Sequence, residues 1–222
     1  MIDLYSTSPD KITVLLSGVD ARFQHVTDTD RLSAVRHKYG LDSRPYIFSL
    51  GTVQPRKNYT RLIHTLAQLR AEGFDLALAI AGGKGWLEDP IYETIRDTHM
   101  QPYVHLLGFA DEADLPALYS AAECVALPSL YEGFGLPVLE AMACGTPVVT
   151  SNISSLPEVA GDAALLIDPR DQEAITDAVR RLISDSQLSA DLVARGLERV
   201  QQFTWDAAAV QLRQIYADLL ST

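Results

Sequence analysis

Residues 124–150 read CVALPSLYEGFGLPVLEAMACGTPVVT. The opening CVAL, 124–127, is a short apolar run bounded by Pro128 and Ser129, which predicts a buried strand. Residues 136–144 carry apolar side chains at helical spacing, with Pro137 set in the first turn and Gly145 at the stop, and so predict a helix. Apolar residues return at 147–150. A strand, a helix and a second strand within one short stretch form a crossover between parallel strands.

The same alternation extends in both directions. Upstream, strands are predicted at 46–50, 76–81 and 104–107, with helices starting at Asn58 and running to Gly73, then at 90–99 and 112–121. The Asn58 helix shows Leu62, Ile63, Leu66 and Leu69 on one face, with Asn58 as its cap. Downstream come a helical turn at 156–160, a strand at 163–167 and a helix at 171–184 with Ala174, Ile175, Ala178, Val179 and Leu182 on one side. Two further helices are predicted at 187–201 and 206–220. Apolar strands each followed by a helix mean a parallel sheet covered on both faces, and right-handed crossovers make it a doubly wound α/β fold. The first 44 residues are less regular: a strand is expected at 11–17, a turn at Gly18-Val19-Asp20, and a polar helix at 30–39 closed by Gly40.

Composition narrows the function. The 222 residues are 47% hydrophobic, as a packed core requires, and 18 basic against 29 acidic residues leave a net charge of −11. A chain this acidic is a poor partner for nucleic acid or for an anionic membrane surface, so any phosphate site must be local. The two cysteines, Cys124 and Cys144, stand apart from each other and from any histidine cluster, which argues against zinc and against a disulfide scaffold. The first residues lack the basic and apolar regions of a secretory signal, so the cytoplasm is expected. His25, His37, His64, His99 and His105 are scattered and none is assigned a catalytic role; His105, in a strand candidate, is assigned to the core.

In open parallel sheets ligands bind beyond the carboxyl ends of the strands. The segments there are rich in glycine, small polar residues and charge. Arg56-Lys57 follows the first strand, and two adjacent cations beside helix amides can clamp a diphosphate; the plain alternative is a solvated surface pair. Gly82-Gly83-Lys84-Gly85 is no nucleotide-triphosphate loop, because its spacing is wrong and Gly85 stands where Ser or Thr is needed, and no strand leads into a dinucleotide-type glycine fingerprint. Gly133 and Gly135 leave the backbone bare before the 136–144 helix, where free amides can face an anion or a sugar hydroxyl. Glu140, one turn inside, can accept two neighbouring hydroxyls such as a ribose offers. Glu132 in the loop can reach toward a reacting centre. The alternative for both glutamates is a favourable charge near a helix N-terminus.

Glu132 and Glu140 within EGFGLPVLEAMACGTPVV resemble the signature of the retaining glycosyltransferases of family 4, also called glycosyl transferase group 1, which have the GT-B fold. The resemblance runs in order over residues 11–222: SGVD at 17–20, GTVQPRKN at 51–58, AGG at 81–83, LLGF at 106–109 and ISSLPEV at 153–159. Ser17 departs from it, standing where the family commonly has Asn.

The resemblance implies one Rossmann-like half of a GT-B enzyme, the donor-binding half. Residues 1–44 would be an inter-domain segment packed on the domain, 45–203 the nucleotide-sugar domain, and 204–222 a helix crossing back to an amino-terminal domain for which the chain has no room. It implies transfer of a hexose from a nucleoside-diphosphate sugar to a saccharide or lipid-linked acceptor, with retention of configuration and with neither metal nor cofactor. Arg56, Lys57 and Glu132 would be catalytic. The donor would meet Gly51, Gly83, Leu107, Gly108, Phe109, Gly133, Phe134, Gly135, Leu136, Glu140, Ser154 and Ser155, with the diphosphate on Arg56 and Lys57, the ribose on Glu140, the base at 107–109 and further phosphate contacts at Ser154-Ser155. The PRKN loop resembles that of bacterial mannosyltransferases, favouring GDP-mannose over UDP-glucose. Without the acceptor-binding domain the chain is expected to bind donor but to transfer poorly or not at all. The full enzyme would be cytoplasmic or peripheral at the inner membrane. Two other readings stand beside this one: a GT-B-type sugar-nucleotide 2-epimerase and a non-catalytic sugar-nucleotide-binding module.

Overall fold

A computed structural model describes residues 5–41 and 44–220. Six strands, β1 (Tyr46–Leu50), β2 (Ala77–Ala81), β3 (Val104–Gly108), β4 (Cys124–Leu127), β5 (Val148–Ser151) and β6 (Leu165–Ile167), form one parallel sheet in the order β3-β2-β1-β4-β5-β6. Between them and around them lie α1 (Thr29–Lys38), α2 (Tyr59–Ala71), α3 (Asp89–Asp97), α4 (Leu115–Ser120), α5 (Leu136–Ala143), α6 (Leu156–Ala160), α7 (Gln172–Ser184), α8 (Ser186–Val200) and α9 (Trp205–Leu220). The doubly wound Rossmann-like sheet expected from the alternation is the observed one.

Strand periodicity sorts the core into two layers. On one face Tyr46, Phe48, Val125, Leu127 and Val148 pack with α4, α5, α6 and Phe203. On the other, Ile47, Leu78, Ile80, Cys124, Ala126 and Val149 pack with α2, α3 and α7. Ala77, Ala79 and Ala81 of β2 point into the first layer, beside the rings of Phe23, Tyr46, Phe48 and Tyr119. Those rings make edge-to-face contacts at 4.9–6.5 Å. Small residues on one strand thus leave room for aromatic residues contributed by its neighbours. Buried hydroxyls of Ser49 and Thr150 donate to Ala126 O and Leu127 O, so no polar group is stranded there.

Several local expectations are corrected. Residues 11–17 form no strand: Lys11 closes a 3-10 turn, Val14 and Leu15 are exposed, and Leu16 alone of the three packs against the core. The turn falls at 20–23, where the Asp20 carboxylate accepts from the Arg22 amide at 2.9 Å and Phe23 N donates to Asp20 O. Asn58 precedes α2 in a left-handed conformation but does not cap it; its Nδ2 donates to Pro128 O and Pro169 O. Helix α4 starts later than 112, since Asp111–Asp114 turn first and Pro116 opens the helix. His105, on edge strand β3, is half-buried and not in the core. Among the described residues no helix is long and apolar enough to cross a membrane.

Gly51, Gly82 and Gly108 end β1, β2 and β3 with φ of +146°, +149° and +65°, and amide bonds from Gly51 to Ala81 O and from Gly82 to Gly108 O tie the rim together. A Cβ on Gly82 would lie 2.1 Å from Gly51 O, a backbone atom that cannot yield. A Cβ on Gly40, also at positive φ, meets nothing. Urea denaturation is expected to show a loss of about 1 kcal/mol for Gly40→Ala, conformational strain alone, and at least about 3 kcal/mol for Gly82→Ala. Equal losses would mean that the rim backbone yields after all.

Candidate donor-binding site

The strand order reverses between β1 and β4, so the chain leaving β1 and the chain leaving β4 turn to opposite faces and leave a crevice at the carboxyl edge. The loop after β1 folds as a 3-10 turn, Pro55–Lys57, and the loop after β4 runs beside it, with Leu130 N donating to Arg56 O at 2.8 Å. This brings Arg56, Lys57 and Glu132 together. Arg56 Nη1 and Lys57 Nζ each donate at 2.7 Å to a different oxygen of Glu132, and Ser129 Oγ donates to Oε1 at 2.7 Å. Arg56 also donates to Tyr131 O. Lys57 is only 7% exposed, and its stem runs across Gly51, where a Cβ would sit 2.4 Å from Cε. Gly51 is therefore bare because the ammonium needs its space.

Burial alone would raise the Glu132 carboxyl, but Lys57, Ser129 and Arg56 together outweigh it and hold the group below its ordinary 4.5. A depressed carboxyl adds stability above its ordinary value, and that stability is lost as pH falls through the lower folded value.

The two glycines predicted to bare the backbone do so. The amides of Gly133, Phe134 and Gly135 have no protein acceptor among the described residues, and a Cβ on Gly133 would meet open space. Gly135 (φ +113°) precedes α5, and Leu136 is exposed in its first turn. The side chain of Phe134 faces inward against Phe203 at 6.2 Å, leaving only its backbone for a ligand. Ser154 Oγ accepts from Glu132 N, and the single Ser155 hydroxyl hydrogen is shared between Glu132 O and Phe134 O, so both side chains hold the loop. What they leave at the crevice is the amides of Ser154 and Ser155, which find no acceptor among the described residues.

Gly83, Leu107, Gly108 and Phe109 lie on the β2–β3 side. Gly83 is bare because the ring of Phe109 covers it, with Cζ 2.4 Å from a built Cβ, while Phe109 itself stays 89% exposed. Both line a cavity of about 230 Å³ with Gly51, Thr52 and Leu115. Leu107 packs against the core, and neither it nor Gly108 lines that cavity. Glu140 lines a neighbouring cavity of about 220 Å³ with Asp20, Arg22, Phe23, Glu112 and Leu115. Its Oε2 accepts from Tyr119 OH at 2.7 Å, and burial raises its carboxyl above the ordinary range while the Tyr119 bond opposes the rise.

Sequence reasoning missed Arg22, Glu112, Tyr119 and Ser129. Tyr119 sits in an apolar helix stripe, where nothing marks its hydroxyl as different from a core tyrosine's. Arg22 is ion-paired with Asp20 at 3.0 Å and with Glu112, a partner 90 residues away that no local pattern reveals.

A parallel sheet in this order, doubly wound with its loops gathered at the reversal, is one half of a GT-B fold. Residues 33–199 match the family described as Glycosyl transferases group 1, and the chain belongs to that family. It is 39% identical over 183 residues to O-antigen chain mannosyltransferase B of Escherichia coli, covering 82% of this chain and 48% of that protein. It is 32% identical over 230 residues to a D-inositol 3-phosphate glycosyltransferase of Corynebacterium aurimucosum, covering 100% of this chain and 54% of that one. Among solved structures, sucrose-phosphate synthase from Thermosynechococcus elongatus superposes with a TM-score of 0.81 at 28% identity, over 94% of this chain and 53% of that one. The chain thus spans about half the length of the relatives it matches.

Removing the charge of Glu132 leaves Lys57 buried without a counter-ion. Glu132→Gln is expected to destabilise the fold at neutral pH by about 2–4 kcal/mol, less than for a wholly buried pair because the Arg56 side chain is 35% exposed. The same substitution should flatten the fall in stability below pH 4.5, and inorganic pyrophosphate should raise the melting temperature of the variant more than that of the parent. A melting temperature unmoved by the substitution would show that the triad is not holding the two loops together.

Proposed function

We propose that the crevice between β1 and β4 binds a nucleoside-diphosphate sugar and that this chain is the donor half of a retaining hexosyltransferase. What supports the reading is that Arg56 and Lys57 sit at the strand-order reversal on Glu132, with the unpaired amides of Gly133–135 following it in the same loop and those of Ser154–155 in the loop bonded to it. Two cations and two sets of amides suit a diphosphate, which carries its charge on several oxygens. The cavity under Phe109 takes the base, and Glu140 meets the ribose.

In the reaction so proposed, the bond from the anomeric carbon to the diphosphate oxygen breaks while charge builds on that oxygen. Arg56 and Lys57 stabilise it electrostatically, in a site where they are already oriented. The acceptor hydroxyl attacks from the side the diphosphate leaves, and a phosphate oxygen takes its proton. Glu132 and the diphosphate compete for the same cations. As donor binds, Glu132 turns from the cations to the sugar hydroxyls, so the carboxylate that keeps Lys57 paired in the empty site becomes a sugar ligand in the filled one.

Mannose is the favoured sugar and GDP-mannose the favoured donor, supported by the PRKN loop and by the mannosyltransferase name of the 39% identical relative. The same proposal gives the exposed apolar residues of α9, Trp205, Val210, Tyr216 and Leu219, to an acceptor-binding domain. A saccharide or lipid-linked saccharide is the proposed acceptor.

Thermal-shift titration with UDP, GDP, ADP, UDP-glucose and GDP-mannose is the test, with the largest stabilisation expected from the guanosine ligands. Arg56→Ala should lose about 1.5–3 kcal/mol of diphosphate affinity, roughly 10- to 150-fold, by isothermal titration. Unchanged affinity would remove Arg56 from the clamp, and no stabilisation by any ligand would overturn the donor reading.

A further inference from the structure

Glu140 is exposed to the cavity it lines, yet one of its two oxygens is already taken. Tyr119 OH meets Oε2 at 2.7 Å, and no other protein donor bonds the carboxylate among the described residues. Arg22, the cation nearest in the cavity, is held by Asp20 and Glu112 and acts on Glu140 only through space. The phenol cannot drift. Its ring is wholly buried, edge-to-face with Phe23 at 5.9 Å and with Phe48 at 4.9 Å, and its backbone carbonyl accepts from Thr146. Burial raises the Tyr119 phenol far above its ordinary range, so it stays protonated and must be the donor.

A carboxylate with two free oxygens at a half-buried site can rotate and offers an unspecific acceptor. With Oε2 pinned from the core side, rotation is blocked and Oε1 is left as the acceptor on the cavity side. That cavity adjoins the one under Phe109, both being lined by Leu115. A group held in the first cavity can therefore continue directly into the second, as a ribose continues from its base.

We infer that Tyr119 is a positioning residue for donor recognition: by fixing Glu140 Oε2 it aims Oε1 at one ribose hydroxyl and so sets the preference for ribose over deoxyribose. The inference rests on Glu140 being the ribose ligand. It goes further in giving sugar selectivity to a buried phenol that no ligand touches.

The test measures affinities of UDP, GDP and ADP, each beside its 2′-deoxy and 3′-deoxy analogue, for the parent chain, Tyr119→Phe and Glu140→Ala. The parent should bind one ribonucleotide about tenfold more tightly than one of its deoxy analogues, the value of one charge-assisted hydrogen bond. Glu140→Ala should abolish that ratio, and Tyr119→Phe, which keeps the ring and its aromatic contacts, should cut it to about threefold or less. A general loosening of the core would weaken ribo and deoxy ligands by the same factor and leave the ratio intact, which would overturn the positioning role. A parent ratio near one, unchanged in Glu140→Ala, would overturn the ribose assignment of Glu140 itself. Full discrimination in Tyr119→Phe together with its loss in Glu140→Ala would overturn only the inference about Tyr119.

Discussion

Lys57 carries its charge into a nearly dry position between two loops, where a charge left without a partner is costly. Glu132 supplies the partner from the loop after β4, while Lys57 and Arg56 come from the loop after β1. These loops belong to the two strands at which the sheet reverses its order. The ion triad therefore ties together, beyond the strand ends, the loops of the two halves whose strands β1 and β4 pair within the sheet. Much else is arranged around it: Gly51 is bare so that the lysine stem can pass, Ser129 turns its hydroxyl toward Glu132, and Ser154 and Ser155 hold the backbone of the same loop.

The same contacts hold the loop that carries the unpaired amides of Gly133, Phe134 and Gly135. With the carbonyls of Glu132 and Phe134 accepting from Ser155, the backbone between them is held in place. Positive φ at Gly135 then lets the chain enter α5. The preorganisation comes from buried contacts below the site, so a ligand meets a loop already held and does not have to order it.

The fold was legible because each strand carries an apolar run of the right length and each helix a stripe at the right period. Tyr46-Ile47-Phe48 and Leu62, Ile63, Leu66 and Leu69 are local patterns, and local patterns survive in a linear reading. Residues 11–17 failed the same reading for a physical reason. Their composition suits a strand, but a strand needs a partner edge, and whether one is open depends on the whole sheet. At the site, Arg56, Lys57, Glu132 and Glu140 were singled out by type and by position after strands. Their mutual pairing was not, since Arg56 and Glu132 are 76 residues apart. Tyr119 and Arg22 stayed hidden because one hydrogen bond and one long-range ion pair define them, and neither leaves a mark on the neighbouring sequence.

The net charge of −11 sets the last constraint on how such a site can hold an anion. At a distance the chain repels a diphosphate, but in physiological salt that repulsion is screened beyond about 8 Å. Inside that range a diphosphate at the proposed site would meet Arg56, Lys57 and unpaired amides, contacts that water and salt screen far less. The long-range field therefore slows encounter only modestly, while short-range contacts decide what stays. Extended polyanions need many phosphates neutralised along their length, which a net charge of −11 opposes, whereas a ligand with one compact diphosphate needs only a few local contacts.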